Sequence, residues 1–261
     1  MKIVVCVKQV PDTWAEKKLD ASKTLDRVSV DNILNEMDEF ALEEALQMIA
    51  AHSGTVTVLS MGPDSATEAI RKALSMGADG AIHIVDDALK GSCAAVTSLV
   101  LAKALERIGD YDLVISGSEA SDARTSVVPA MLAERLGIPQ VTFVNKVEVD
   151  PAAKTLKANR ITDDGYQVVE ASLPAMISAV EKMNEPRYPS FKGIMAAKKK
   201  PVETLSIADL GLEADAVGLS GSWTKVNDSA DRPPRSAGTI VEDEGNGGAA
   251  LVDFLASKKF V

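Results

Sequence analysis

The feature that most constrains the fold is an alternation of short apolar runs with helical patterns in the first half of the chain. Residues 3–7 are a mostly β-branched run, which is typical of a central parallel strand buried on both faces. Further strands are predicted at residues 55–60, 81–85 and 112–116. A βαβαβαβ order predicts a parallel, doubly wound α/β sheet with right-handed crossovers.

Start and stop signals place the helices between these strands. Asn35 or Asp38 can cap the first helix, and its apolar side chains recur at helical spacing until Gly54. Residues 65–68 read Ser-Ala-Thr-Glu, a capping-box pattern that predicts the start of the second helix. Residues 92–108 form a third, rich in Ala and Leu. Residues 13–33 lie outside this alternation and predict a small excursion or hairpin.

In the second half of the chain, the predicted strands follow one another without helices between them. Strands at residues 140–149, 155–162 and 166–171 are separated by hairpin-turn sequences, and an apolar strand follows at 175–180. After residue 207 the chain is rich in Gly and Ser until an amphipathic helical pattern at 249–259. We therefore expect one α/β domain at residues 1–205 with added β-hairpins. We expect a C-terminal arm at 206–261, which either wraps a partner subunit or is a disordered tail.

Composition excludes several functions. With 38 acidic against 28 basic residues and a formal net charge of −10, general attraction to nucleic acid or to an anionic membrane is disfavoured. Two cysteines without close spacing and two histidines provide no zinc or iron–sulfur framework. The chain starts directly with a strand, and no apolar run reaches membrane-spanning length. These observations predict a cytoplasmic protein that does not insert into membranes.

Two stretches are candidate ligand sites. Residues 6–12 follow the first strand at its carboxyl end, where open α/β sheets bind ligands. The hydroxyl-rich loop from Gly117 to Ser126 precedes a helix with Pro129 in its first turn, so its backbone N–H groups can hold a phosphate, and Arg124 can add a clamp. Neither a G-x-G-x-x-G nor a Walker A sequence occurs. An ordinary strand-to-helix connection remains the alternative.

A proline-rich segment at residues 180–201 carries the most specific pattern. Pro186 and Pro189 favour a stiff, extended exit from the core. Phe191 is then predicted to lie on a loop, with a bend at Gly193 and a short helix that ends in three lysines before Pro201. The segment is either a solvated surface loop or a docking loop whose aromatic tip inserts into a partner.

Several segments resemble the beta subunits of electron transfer flavoproteins. The most specific is E-P-R-Y-P-S-F-K-G-I-M-A-A-K-K-K-P at residues 185–201. V-C-V-K-Q-V-P-D at 5–12, N-E-M-D-E-F-A-L-E-E-A at 35–45 and A-L-S-M-G-A-D at 73–79 are similar to the family's other recurring segments, in the family's order. The resemblance covers about the first 210 residues.

This resemblance implies an electron carrier rather than an enzyme. In the family, a beta subunit of the adenine nucleotide alpha hydrolase-like fold holds a structural AMP and pairs with an alpha subunit that carries the redox FAD. The heterodimer takes electrons from dehydrogenases such as acyl-CoA dehydrogenases and passes them to a membrane quinone oxidoreductase. Consistently, no catalytic constellation stands out in the sequence, and His52 and His83 are interpreted as structural.

Matching positions also predict site residues. The AMP pocket is predicted to be lined by Cys6, Asn35, Glu36, Met37, Asp38, Met61 and the phosphate loop, which comprises Gly117, Ser118, Glu119, Ala120, Ser121, Asp122, Ala123, Arg124, Thr125, Ser126, Val127 and Val128. The docking loop, residues 184–201, is predicted to contact dehydrogenases through Glu185, Arg187, Tyr188, Phe191, Ile194 and Met195. Thr13 or Trp14 is predicted to lie near the flavin.

The chain departs from the family at both places. Phe191 stands where the family usually has leucine, which changes the shape of the apolar anchor. In the phosphate loop, Glu119 replaces an amide, Arg124 an acid and Val127 a glutamine. Backbone contacts to a phosphate are therefore expected to persist with altered side-chain contacts.

Three other functions stay open on sequence grounds. A subset of the family bifurcates electrons and carries a second FAD in place of AMP. A free-standing adenine-nucleotide module, of the universal-stress or ATP-pyrophosphatase kind, shares the fold, although residues 8–12 lack the S-G-G-x-D-S loop of the latter. A scaffold with an empty pocket would retain no nucleotide.

Overall fold

The computed structural model describes residues 1–230, 233–235, 238 and 240–261. These residues form two compact units, Met1–Asn227 and Asp228–Val261. The first extends beyond residue 205, where the sequence predicts the domain boundary, because the stretch after the last strand returns to the core. There the Ser222 hydroxyl accepts a hydrogen bond from the Cys93 N–H at 2.9 Å.

A large mixed sheet organises the first unit. Its strands are β1 (Lys2–Cys6), β4 (Thr55–Met61), β5 (Gly80–Ile84), β6 (Leu113–Gly117), β7 (Gln140–Asp150), β8 (Thr155–Thr162), β9 (Gly165–Ser172), β10 (Ala175–Ala179) and β11 (Val202–Leu205). Their order within the described residues is β11-β5-β4-β1-β6-β10-β7-β8-β9. Neighbouring strands are parallel as far as β7, and the last three strands are antiparallel. The predicted doubly wound α/β fold is confirmed.

Helices cover both faces of the parallel part. Ile3 and Val5 lie in one core cluster with α1 (Glu36–His52) and α2 (Thr67–Met76). Val4 lies in the other with α3 (Ala94–Ile108) and α4 (Val128–Leu136). Successive side chains of a strand point to opposite faces, and both faces are covered, which explains why Ile3, Val4 and Val5 are all apolar and buried.

The chain reverses its winding direction beside β1. It runs from β1 to β4 and β5 on one side, then crosses to β6 on the other. Ligands of open α/β folds bind in the crevice at the carboxyl ends of the strands where the order reverses. The loops after β1 and β6 therefore meet at the place that the fold favours for a ligand.

The predicted excursion is a small separate element. Residues 9–11 and 32–34 pair as the antiparallel strands β2 (Gln9–Pro11) and β3 (Asn32–Leu34). β2 follows β1 and β3 precedes α1, so the chain between them begins and ends beside the carboxyl edge of the large sheet.

Three local predictions are wrong. The capping box at residues 65–68 does not form: α2 begins at Thr67 without a side-chain cap, because the Ser65 hydroxyl donates to Gln9 Oε1 at 3.0 Å. Phe191 is not on a loop but is the first residue of α5 (Phe191–Ala197). Ser190 caps α5 by accepting from the Gly193 N–H at 3.0 Å. The bend predicted at Gly193 is also absent, because Gly193 lies inside α5. A Cβ there would lie 2.5 Å from the Ser75 carbonyl oxygen of α2, so glycine is what allows the two helices to approach this closely.

The remaining helices follow the sheet in the chain. The short α6 (Gly218–Gly221) belongs to the first unit, and α7 (Gly247–Ser257) lies in the second, where the sequence predicts an amphipathic helix. That the arm wraps a partner stays a prediction, and residues 231–232, 236–237 and 239 of this arm lie outside the described residues. No helix in the described part of the chain combines the length and apolar character needed to cross a membrane.

Candidate functional site

A buried carboxylate joins the two strand ends at the winding reversal. Asp38 lies in the first turn of α1, and its Oδ2 accepts from the Lys8 N–H just after β1 at 2.8 Å. Its Oδ1 accepts from the Gly117 N–H at the end of β6 at 3.1 Å. Gly117 has no room for a side chain, because a Cβ would lie 2.6 Å from Asp38 Oδ1. Asp38 therefore fixes where the loops after β1 and β6 begin.

Burial dominates the protonation of this carboxyl group. It raises the pKa of Asp38 to about 7, against the opposing hydrogen bonds from Asn35, Lys8 and Gly117 and the charge of Lys8. Loss of hydration disfavours the charged form more than these donors stabilise it.

This pKa predicts a dependence of stability on pH. Between about pH 4 and 7 the folded chain keeps a proton on Asp38 that the unfolded chain has lost. The free energy of unfolding, relative to that of Asp38→Asn, is therefore expected to fall as the pH rises through this range. From pH 5 to 7 we expect a decrease of about 1–2 kcal/mol, measured by urea titration of both proteins. A difference that does not change with pH would contradict the prediction.

Asn35 holds the phosphate loop against the start of α1. Its side chain is buried, with Nδ2 donating to the Glu119 carbonyl oxygen at 3.0 Å and Oδ1 accepting from the Ser121 N–H at 3.1 Å. Asn35 precedes α1 but makes no side-chain cap, because the loop occupies both atoms of its amide. The predicted site residue thus acts as a clamp on the loop.

An ion triad that the sequence did not predict secures the loop from the other side. The Asp122 side chain is almost fully buried and is paired with Lys8 Nζ at 2.8 Å and with the Arg27 guanidinium. Burial acts to raise the pKa of Asp122, but Lys8 and Arg27 outweigh it and hold the pKa below its usual value. Arg27 lies in the excursion, so this triad ties the excursion to the phosphate loop. Lys8 falls within the predicted site wall at 6–12, whereas nothing in the local pattern singles out Arg27.

The outer part of the phosphate loop faces solvent. Ala123, Arg124 and Thr125 are exposed, while Arg124 and Ser126 have left-handed φ values of 49° and 54°. Ser126 Oγ donates to Glu119 Oε2 at 3.4 Å, which gives the carboxylate that replaces the family amide a partner within the loop. The loop then enters α4 at Val128 with Pro129 in its first turn. A helix start of this kind is suited to an anion.

The inner part of the loop carries an unsatisfied polar atom. Ser121 Oγ is buried and finds no hydrogen-bond partner among the described residues. Buried hydroxyls are nearly always paired in folded proteins, so a lone one at a site edge fits a polar ligand group.

Cys6 and Met61 add apolar surface at neighbouring strand ends. Both are half-buried, at the last positions of β1 and β4. Burial, with a smaller contribution from Asp38, raises the pKa of the Cys6 thiol to about 12. The thiol is therefore neutral at physiological pH. Apolar walls, an orphaned hydroxyl and an anion-accepting helix start together fit an adenine nucleotide.

The structure brings most of the predicted pocket residues to one edge of the sheet. Glu36 differs: it is exposed, and Oε1 accepts from Thr13 Oγ1 at 3.3 Å. Two open grooves of about 600 and 520 Å³ lie elsewhere, at β7–β9 and beside Trp14. The chemistry of the phosphate loop, rather than the size of a cavity, supports the site.

The docking loop presents an apolar surface to solvent. Tyr188 is 95% exposed and Phe191 81%, with Ile194 and Met195 about half exposed beside them. Glu185 is exposed as well, whereas Arg187 makes an ion pair with Glu43 of α1. The loop thus combines its predicted aromatic tip with a residue that is bonded to the core.

The far end of this loop is fixed to α2. Arg71 Nη1 donates to the Ala197 carbonyl oxygen at 2.6 Å and to that of Lys200 at 3.1 Å. Lys200 Nζ in turn donates to the Leu74 carbonyl oxygen at 3.0 Å. Apolar side chains on an anchored backbone can bind a partner without a large ordering cost.

These features define a doubly wound α/β protein with a candidate ligand site at the winding reversal and a separate exposed apolar surface on residues 184–201. A family model described as the electron transfer flavoprotein domain matches residues 22–210. The chain is 50% identical to the electron transfer flavoprotein subunit beta of Mycobacterium tuberculosis, over 99% of each chain. It is 42% identical to the subunit beta of Clostridium acetobutylicum, over 97% of this chain and 96% of the relative. It is also 39% identical to the caffeyl-CoA reductase-Etf complex subunit CarD of Acetobacterium woodii, over 92% of each.

The chain therefore belongs to the electron transfer flavoprotein family, as a beta subunit. Membership implies an alpha subunit as partner and a flavin in the complex. It favours an electron carrier over an enzyme.

Proposed function

We propose that this beta subunit binds a structural AMP and, in a heterodimer with an alpha subunit that holds FAD, carries electrons from dehydrogenases such as acyl-CoA dehydrogenases to a membrane quinone oxidoreductase. The observation that carries the nucleotide part is the clamp of Asn35 and Asp38 on the phosphate loop at the winding reversal. We place the complex in the cytoplasm.

The phosphate loop would hold the AMP phosphate through its backbone N–H groups and the Ser121 hydroxyl. Cys6 and Met61 would offer apolar surface to the rest of the nucleotide. Glu119 is bonded within the loop, so the replacement of the family amide leaves backbone contacts available. The loop is also joined to α1 and to the excursion, so a bound nucleotide would stabilise the subunit. When FAD is bound, it supplies the redox chemistry, and this chain supplies the scaffold and the docking surface.

The docking loop would recognise the dehydrogenase. Phe191 and its exposed neighbours form the apolar anchor, and the hydrogen bonds of α5 to α2 preorganise it. Aromatic anchors that enter a partner's pocket dominate many interface energies.

A second FAD in place of AMP is the competing function. One relative is named as a subunit of a caffeyl-CoA reductase-Etf complex, whereas the others are named as electron transfer flavoprotein subunit beta. Relatives of this chain therefore include a subunit of a different kind of complex, and this observation keeps the alternative open.

The nucleotide content of the complex tests the proposal. The chain is co-expressed with its alpha subunit, the purified heterodimer is denatured, and released nucleotides are measured by mass spectrometry. We expect one FAD and one AMP per heterodimer. Two FAD without AMP would favour the competing function. A nucleotide bound without partner or flavin would favour a free-standing module. Release of FAD with no other nucleotide would favour a scaffold with an empty pocket.

A further inference from the structure

The base of the docking loop is bonded to a buried carboxylate on α1. The Glu43 side chain is 6% exposed and lies on the same helix as Asp38. Its Oε2 accepts from Arg187 Nε at 2.7 Å and from the Arg187 backbone N–H at 3.2 Å. Its Oε1 accepts from Arg187 Nη2 at 3.0 Å and from Gln47 Nε2 at 2.9 Å. Both oxygens are thus satisfied, in the two-point geometry that fixes a guanidinium most firmly.

The ionised form of Glu43 is stabilised in this position. Burial acts to raise its pKa, but hydrogen bonds from Arg187 and Gln47 and the charge of Arg187 outweigh it, so the pKa lies below its usual value. Glu43 is therefore ionised across the pH range in which proteins work, and the Arg187 guanidinium, whose pKa is raised further by Glu43, is always charged.

A neighbouring contact reinforces the attachment. Asn184 Nδ2 donates to the Phe40 carbonyl oxygen and to Glu44 Oε2, both at 3.0 Å. Two residues near the start of the loop, Asn184 and Arg187, are therefore bonded to neighbouring residues of one helix.

The stiff backbone after Arg187 extends the effect of these contacts to Phe191 at the exposed tip of the loop. Pro186 and Pro189 flank Arg187 and Tyr188 and restrict the rotation of the segment. The other end of the loop is fixed to α2 by Arg71. A stiff segment with both ends held has one preferred path, so Phe191 lies in a defined position before any partner arrives.

We propose that Glu43 is a positioning residue for the dehydrogenase: through Arg187, it holds the docking loop in the conformation that the dehydrogenase recognises. This inference rests on the proposed docking function and assigns Arg187 a role within the subunit rather than a contact with the partner. Without Glu43 the free loop samples more conformations, and binding must restore the order. The effect falls on KM for the dehydrogenase, while kcat is kept because the bound complex can still adopt the same arrangement.

The test uses the complete heterodimer with an acyl-CoA dehydrogenase reduced by its substrate. Glu43→Ala and Arg187→Gln are each expected to raise KM for the dehydrogenase about tenfold, with kcat, FAD content and the visible spectrum within about twofold of wild type. The double variant is expected to be no worse than either single variant, because both changes remove one interaction. Glu43→Gln, which keeps the shape and one acceptor oxygen, is expected to restore about half of the loss on a logarithmic scale.

Glu39→Gln is the matched control on the same helix. Glu39 pairs with Lys72 of α2, and among the described residues no hydrogen bond or ion pair joins its side chain to the loop, so its removal should leave KM unchanged. Additive losses in the double variant, an equal effect of Glu39→Gln, or a loss of kcat with normal KM would each overturn the proposal. If Glu43→Ala fails to assemble, Arg187→Gln at its half-exposed site decides the question, and a normal KM there would also overturn it.

Phe191→Ala in the same assay separates this inference from the docking function itself. If Phe191→Ala raises KM and neither Glu43→Ala nor Arg187→Gln does, the docking function stands and the role of Glu43 is overturned. If Phe191→Ala leaves KM and kcat normal, the docking function fails, and with it this inference.

Discussion

Replacement of Phe191 by alanine is expected to lower kcat/KM for electron transfer from a cognate dehydrogenase roughly 30-fold, the effect of losing one interface anchor. Phe191 is 81% exposed at the first position of α5, where Ser190 and Arg71 hold the backbone. The side chain can thus be removed without opening a cavity in the core. FAD content and thermal stability of the heterodimer are expected to stay unchanged. Stopped-flow reduction of the heterodimer by substrate-reduced dehydrogenase measures the rate.

Two variants define the specificity of this effect. Phe191→Leu restores the family's usual anchor and should retain kcat/KM within about threefold, since volume and apolar character are nearly kept. Tyr166→Ala removes an exposed aromatic side chain on β9 and serves as the control for general surface effects. Normal kinetics in Phe191→Ala, or an equal loss in Tyr166→Ala, would refute the docking role.

Gly117→Ala is expected to have the largest effect on the nucleotide site. An added Cβ would lie 2.6 Å from Asp38 Oδ1 and 2.8 Å from the Met37 backbone carbon. Either α1 or the end of β6 must therefore move, and the hydrogen bond from the Gly117 N–H to Asp38 is lost. Steric overpacking and loss of a buried hydrogen bond together cost about 3 kcal/mol.

Thermal melting of the heterodimer and quantification of released AMP measure this change. A loss of about 3 kcal/mol corresponds to a decrease in Tm of roughly 5–10 °C for a chain of this size. AMP should fall well below one per heterodimer because the phosphate loop begins at the displaced residue. Gly248→Ala is the control, since a Cβ there meets no atom within 4 Å. Retention of full AMP and Tm in Gly117→Ala would show that the clamp does not shape the site.

Part of the site could be predicted from the sequence because it depends on the order of strands and loops along the chain. The loops at residues 6–12 and 117–126 each follow an apolar run, and parallel strands bring their carboxyl ends to one edge. Phe191 was predicted to lie outside the core on similar grounds, since Pro186 and Pro189 before it favour a stiff segment that leaves the core. Its helical state was not predicted, although Ser190, which caps α5 by accepting from the Gly193 N–H, is a local signal for a helix that starts at Phe191.

The residues that hold the site together were harder to predict from the sequence. Asn35 or Asp38 was expected to cap a helix, yet the Asn35 amide binds a loop that lies 84 and 86 positions further along the chain. A capping side chain and a loop clamp look identical in sequence, because both require a small polar residue before a helix.

The sequence by itself determined the doubly wound sheet, the hairpins after β7, and the positions of the phosphate and docking loops. These follow from hydrophobic period and turn chemistry, which act over a few residues. Only the tertiary structure decided the charge partners: Arg27 with Asp122 and Glu43 with Arg187, which are separated by 95 and 144 positions. The reason is physical: an ion pair gains strength only when folding buries and aligns both groups, and no local pattern encodes which distant partner will arrive.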